Sequence, residues 1–182
     1  MLSTIMWDSI NQPTGGSWDT ASNWVGGVVP QSTDDAVIDL TSTGTVTLST
    51  GATDTINSLT TNTNTSLSVG GDTLSLATTS TIGGGLTLTG GTVGGAGTLT
   101  VTGLTTWTGG TMSGSGVTNA NGGLTMGDAN ADDQMFLSAR TLNNGGAATL
   151  ASADPSYGLY LDSGATVDNE SGATFNFIAN GS

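Results

Sequence analysis

The chain has 182 residues, the length of one domain, and only 8% of them are charged, against ~25% in ordinary soluble proteins. Thr, Ser and Gly together supply 85 residues, Cys and His are absent, Arg140 is the sole cationic side chain, and the formal net charge is −13. That inventory excludes recognition of nucleic-acid phosphates, zinc or haem ligation through Cys or His, disulfides, and Ser–His or Cys–His catalysis.

Taken in chain order, the opening Met1–Met6 stretch lacks the basic and apolar regions of a signal peptide, so either export information lies outside this chain or the protein leaves the cell by another route. No apolar run approaches the ~18 residues of a membrane span. Residues 1–36 differ in composition from the rest and hold Trp7, Trp18, Trp24, Pro13 and Pro30. Large rings suit the covering of an exposed apolar core end, so this segment is read as an N-terminal cap, with a sugar-stacking platform as the competing use. Asp34 and Asp35 close the segment. Neighbours on a strand point to opposite faces, so they are a poor catalytic pair and a natural junction element.

From residue 37 onward the apolar residues come in pairs one residue apart, with Thr or Ser between them. Val46/Leu48, Leu67/Val69, Leu86/Leu88, Leu99/Val101 and Leu124/Met126 are examples. Each pair is a period-2 strand signal, and Gly, Asn or Asp follows almost every one. At an offset of 19 the middle of the chain matches itself, which aligns Val69, Leu88, Trp107 and Met126 in one column and Leu74, Val93 and Met112 in another. Later the offset grows to 25 and places Asn119, Asn144 and Asn169 in one register, as an amide ladder or as turn residues. A repeat of this length cannot bury its own apolar face, so successive repeats must stack. The expected fold is all-β: a right-handed parallel β-helix, or β-solenoid, over residues 37–182, with room for six or seven rungs between Val37 and Phe177, and the Trp-rich cap over 1–36.

Little of the chain promises chemistry. Asp132 and Asp133 are again adjacent, and one Arg without Lys or His leaves a lyase site without its cationic groups. The expectation is that the protein is not an enzyme and has no catalytic residues. Asp128, Asn130 and Asp132 alternate like the start of an EF-hand loop and form a weak calcium candidate. Position six of that loop is Asp133 rather than Gly and position twelve is Ala139 rather than Glu, so a plain polar loop is the favoured reading. Arg140 is expected to pair with Asp132, Asp133 or Asp162, with a place at an oligomer interface as the alternative. Phe136, Tyr157 and Tyr160 look too scattered for a glycan groove. The chain stops at Asn180-Gly181-Ser182 behind a strand, which suggests a piece of something longer.

The stretch GGSWDTASNWVGGVVPQSTDDAVID, followed by TVTLSTGATDTINSLTT and Gly/Thr-rich rungs, resembles bacterial surface and secreted β-helix repeat proteins. These are the autotransporter-like and filamentous-haemagglutinin-like adhesins. The NNGGAATL and DNESGATF pieces resemble their rungs. The resemblance implies an extracellular or cell-surface structural role as stalk, matrix or adhesin module. Self-association through the solenoid ends into filaments, and contact with glycan or a cell surface, are the expected partnerships. A carbohydrate- or host-surface-binding module and a phage fibre or decoration protein are the alternatives.

Overall fold

The computed structural model of the chain describes residues 3–128, 134–152 and 158–179. The chain winds repeatedly through three faces, each a parallel sheet. The first face stacks Ser3–Met6, Asp34–Ile38, Ser58–Thr61, Ser80–Ile82, Thr98–Val101, Val117–Ala120, Thr141–Asn144 and Thr166–Asn169. The second stacks Gly15–Ser17, Gly44–Leu48, Thr65–Val69, Leu86–Leu88, Thr105–Trp107, Leu124–Met126, Ala147–Ser152 and Thr174–Ala179. The third stacks Thr53–Ile56, Thr73–Leu76, Thr92–Gly94, Gly110–Ser113, Gln134–Ser138 and Gly158–Asp162. The result is a β-solenoid of six complete turns with a two-sided turn at each end. Among the described residues the helical content is one 3-10 turn, Ala21–Asn23.

The strands form because Thr, Val and Leu alternate. The β-branched residues favour the pleated conformation, and the period of two sends every second side chain inward. Leu67, Leu86, Thr105 and Leu124 stand in register nineteen residues apart, and Val69, Leu88, Trp107 and Met126 form the next inward column. Leu74, Val93 and Met112 align on the third face as their spacing predicts. All of these apolar side chains are buried. Each contributes about 1.5–3 kcal/mol by leaving water. Thr and Ser occupy most outward positions; Thr61, Thr65, Ser80, Thr105 and Thr118 are exceptions that point inward.

Residues 1–36 are not separate from the stack. The division at 36/37 falls inside the strand Asp34–Ile38, and Ser3–Met6 and Gly15–Ser17 are the first strands of two faces. The third face begins only at Thr53, so residues 18–33 occupy the first turn where a strand of that face would otherwise run.

The asparagine register differs from the one read in the sequence. The turn from Val117 to Thr141 is 24 residues, so Asn119 stacks on Asn143 rather than on Asn144. A slip of one residue exchanges the inner and outer faces. Asn143 Nδ2 donates to Asn119 Oδ1 at 2.9 Å on the outer side, whereas buried Asn144 donates to Asn169 Oδ1 at 2.7 Å. There are two short amide stacks, one residue apart.

Arg140 also departs from expectation. Asp132 and Asp133 lie outside the described residues, and Asp162 instead accepts the Ser138 hydroxyl. Arg140 is 1% exposed and turns into the stack at the corner between the third and first faces. Its Nε donates to Thr118 Oγ1 at 2.7 Å, Nη1 to the carbonyls of Gly95 and Ser113, both at 3.1 Å, and Nη2 to those of Gly97 at 3.3 Å and Val117 at 3.0 Å. All five guanidinium hydrogens are thus used at the corners of the two preceding turns, which ties three consecutive turns together. Space for the fork comes from the Gly-x-Gly corners: a Cβ on Gly116 would stand 2.9 Å from Nη1 and 2.2 Å from the Gly97 carbonyl oxygen. Burial pulls the guanidinium pKa down to about 10, which leaves it charged at neutral pH. Arg140→Met should cost roughly 3 kcal/mol or more, since charge-assisted hydrogen bonds to buried carbonyls are lost together. Arg140→Lys should recover only part of it, because an ammonium has three donors and no rigid fork. Urea unfolding midpoints at unchanged m-value would measure both.

Candidate functional site

The features that could carry function cluster at the two ends of the stack. At the first end, Trp7, Trp18 and Trp24 are 3%, 0% and 2% exposed and belong to the continuous core. Trp24 lies edge-on to both neighbours, with ring centroids 5.1 Å from Trp7 and 4.8 Å from Trp18. Each of these three indole N–H groups has a partner. Trp7 donates to the Gln12 carbonyl at 3.1 Å, Trp24 to the Trp18 carbonyl at 2.8 Å, and Trp18 to Asp54 Oδ1 at 3.1 Å. Rings this deeply buried offer no face on which a sugar could stack. Their energy goes into the packing of the first turn, and each edge-to-face pair adds about 0.5–1.5 kcal/mol to the area buried.

Behind Trp18 stands a group of carboxylates that the sequence reading did not assemble. Asp19 follows Trp18 in the first turn, Asp54 is on the strand Thr53–Ile56, and Asp72 precedes the strand Thr73–Leu76 one turn further on. One oxygen from each lies within 4.8 Å of the other two. Asp54 is 7% exposed, Asp72 is 0% exposed, and Asp19 is half-buried. Asp54 pairs in register with Leu74, so a carboxylate takes the first place of a column that continues through Val93, Met112, Leu137 and Leu161.

The corner 49–52 supplies the nearby donors. Gly51 adopts φ +86°, and the N–H groups of Gly51 and Ala52 reach Asp72 Oδ1 at 2.5 and 3.1 Å. Thr50 Oγ1 donates to Asp19 Oδ2 at 2.7 Å and lies 3.4 Å from Asp72 Oδ1. The remaining oxygens, Asp54 Oδ2 and Asp72 Oδ2, are buried without a hydrogen-bond partner. Three ionised groups this close would repel by on the order of 3 kcal/mol per pair at an effective dielectric constant of ~20. The carboxyl of Asp54 is accordingly pushed up to about 6, first by burial and then by the charges of Asp19 and Asp72, against the Trp18 indole. Asp19 is also raised, first by burial and then by Asp72, with the Thr50 hydroxyl opposing.

Of the earlier calcium candidate, Asn130 and Asp132 lie outside the described residues; Asp128 follows the strand Leu124–Met126 at the corner. The oxygen-rich site of the described fold is at the opposite end of the stack. One signal for it was present in the sequence: Gly71-Asp72-Thr73 stands where the next two turns read Gly90-Gly91-Thr92 and Gly109-Gly110-Thr111.

At the far end the inward columns run out into solvent. Leu161, Phe177 and Ile178 are 50%, 78% and 47% exposed, and Leu150, Leu159, Val167 and Phe175 line an apolar hollow of about 460 Å³ with Leu161 and Phe177. On the outer side of the third face, Phe136 and Tyr160 meet in register and stack with centroids 5.2 Å apart and planes 18° apart. Sequence spacing alone left these two rings scattered. Among the described residues no helix is long and apolar enough to cross a membrane. Comparisons with protein-family models, with curated proteins and with solved structures found no match to this chain.

Two outcomes are expected at the first end. Trp24→Ala should lower stability by about 3–5 kcal/mol in urea unfolding, the range for a large buried ring. In chelator, stability should fall as pH rises. Between the ordinary value of 3.8 and about 6, folded Asp54 holds a proton that the unfolded chain has lost. The exposed carboxylates Asp8, Asp35 and Asp162 are held low by Asn11, Ser58 and Ser138 respectively, so they titrate below that window. The melting temperature should therefore drop between pH 4 and pH 6.5, and Asp54→Asn should flatten the slope.

Proposed function

We propose that this chain is a non-enzymatic structural segment of an extracellular or cell-surface protein, acting as a stalk, matrix or adhesin module. The observation that carries the reading is the continuity of three parallel sheets through six complete turns. Each interior strand is hydrogen-bonded on both sides, so bending or stretching the stack breaks many bonds together. The outer faces are built largely from Thr and Ser, which keep a rod soluble with few charges on the strands themselves. The Trp-rich opening and its resemblance to surface β-helix proteins support an extracellular setting.

End-to-end assembly is the sharper form of this proposal, with a second copy of the chain as the occupant of the open end. The strands Gly158–Asp162, Thr166–Asn169 and Thr174–Ala179 each carry a ladder edge that the described residues leave unpaired. The inward columns end beside them at Leu161 and Phe177. An edge over an apolar core is a template for another parallel coil. Joining one molecule's open end to a different surface of the next is a heterologous contact, so it propagates into a filament. The net charge of −13 opposes it, so added salt should favour it.

Electron microscopy of the purified chain tests assembly. Rods that lengthen with protein and salt concentration are expected, and Leu161→Asp with Phe177→Asp should keep them single. Monomers at every concentration would reject assembly. Surface accessibility in the native cells, probed with an antibody against the chain, tests the setting. Labelling of intact cells is expected, and signal only after lysis would contradict the extracellular role.

A further inference from the structure

We propose that Asp19, Asp54 and Asp72 form a site for one divalent cation of calcium's chemistry, which clamps the first turn of the chain to the two turns that follow. The inference is independent of the structural role proposed above. It rests on three observations. The first is geometric: two oxygens bound to one calcium ion at 2.3–2.6 Å can be at most ~5 Å apart. The three carboxylate oxygens lie within 4.8 Å of one another, inside that limit.

The second is an unmet bonding requirement. Asp54 Oδ2 and Asp72 Oδ2 belong to side chains that are 7% and 0% exposed, and neither atom has a hydrogen-bond partner. Buried carboxylate oxygens are ordinarily paired or coordinate a metal. The Trp18 indole and the amides of Gly51 and Ala52 serve only the Oδ1 atoms, and so hold the two carboxylates while leaving the second oxygens available. No cationic side chain can compensate them, because Arg140 is the only one and its five donors are spent elsewhere.

The third is position. Asp54 occupies a place in the inward column that Leu74, Val93, Met112, Leu137 and Leu161 fill in the other turns. An aliphatic side chain would satisfy the fold there, so the carboxylate needs another reason. The donor set selects the ion: it is all oxygen and carries no nitrogen or sulfur, which suits calcium and disfavours zinc or copper. Thr50 Oγ1 stands beside Asp19 and Asp72, and the half-buried Asp19 gives the ion an approach from solvent together with the waters that complete its shell.

Terbium is the first probe, since it takes calcium sites and Trp18 beside Asp54 can sensitise its emission. The intact chain should show sensitised emission that calcium displaces, and calorimetry should give one calcium per chain. A hundred-fold excess of calcium over its Kd should raise the melting temperature by roughly 5–10 °C. Asp54→Asn should weaken binding by ~10-fold or more. Asp54→Leu, which restores the aliphatic column, keeps the test open if the amide variant folds poorly. It should melt above the wild type in chelator and gain nothing from calcium. A folded wild type that gives neither sensitised emission nor calcium heat would overturn the site. So would binding that survives both substitutions unchanged, since the remaining carboxylates would then hold calcium as a diffuse counter-ion atmosphere.

Discussion

The whole molecule depends on one constraint: a coil of about twenty residues has too few side chains to enclose a core, so each coil is dry only where another covers it. Leu88 is buried because Val69 lies on one side and Trp107 on the other. Backbone pairing and side-chain burial therefore run along the same axis, and neither survives without the other. The same dependence explains the two ends. At the first, bulky indoles substitute for a missing strand and close the core. At the other, Leu161 and Phe177 occupy inward positions and are nonetheless exposed, because the described fold sets nothing above them.

Within so regular an interior, polar residues are informative where they break the pattern. Arg140, level with Gly116 and Gly97 at a corner, and Asp54, in a column of aliphatic side chains, both break that pattern, and they are handled in opposite ways. The guanidinium finds a complete set of carbonyl and hydroxyl acceptors on the two preceding turns, so its charge is solvated by the solenoid itself and it acts as an internal staple. The carboxylate of Asp54 finds one donor and two further carboxylates, and one of its oxygens is left with nothing. One arrangement is closed; the other is open to a ligand of opposite charge. Both link neighbouring turns, so any effect they have on stability is felt along the stack.

Much of this architecture was legible in the sequence, because a solenoid writes its register into the chain as a repeat. The columns through Val69 and Leu74 needed only the nineteen-residue offset. What was not legible depends on corners. A 24-residue turn, one residue shorter than the offset assumed, moves Asn119 to the outer side and pairs it with Asn143. Phe136 and Tyr160 are 24 residues apart and meet only because the turn between them closes at that length. Asp19, Asp54 and Asp72 come from turns of different length, so no fixed offset superposes them, and their proximity appears only once the chain is wound. The acidic run Asp128–Asp133 drew attention because its members are close in sequence, whereas ligands in a solenoid are gathered across turns.

The stack itself can be measured with spin labels, helped by the absence of native cysteine. Thr47, Ser68, Thr87, Thr106, Thr125, Thr149 and Asn176 follow one another in register on the second face. Cysteine pairs for double electron–electron resonance would join position 47 to 125, 149 and 176 in turn. In-register coils predict separations near 19, 24 and 29 Å, an increment of about 4.8 Å for each added turn. Separations that fail to grow with the number of turns, or that scatter without a fixed increment, would contradict the solenoid and the roles derived from it.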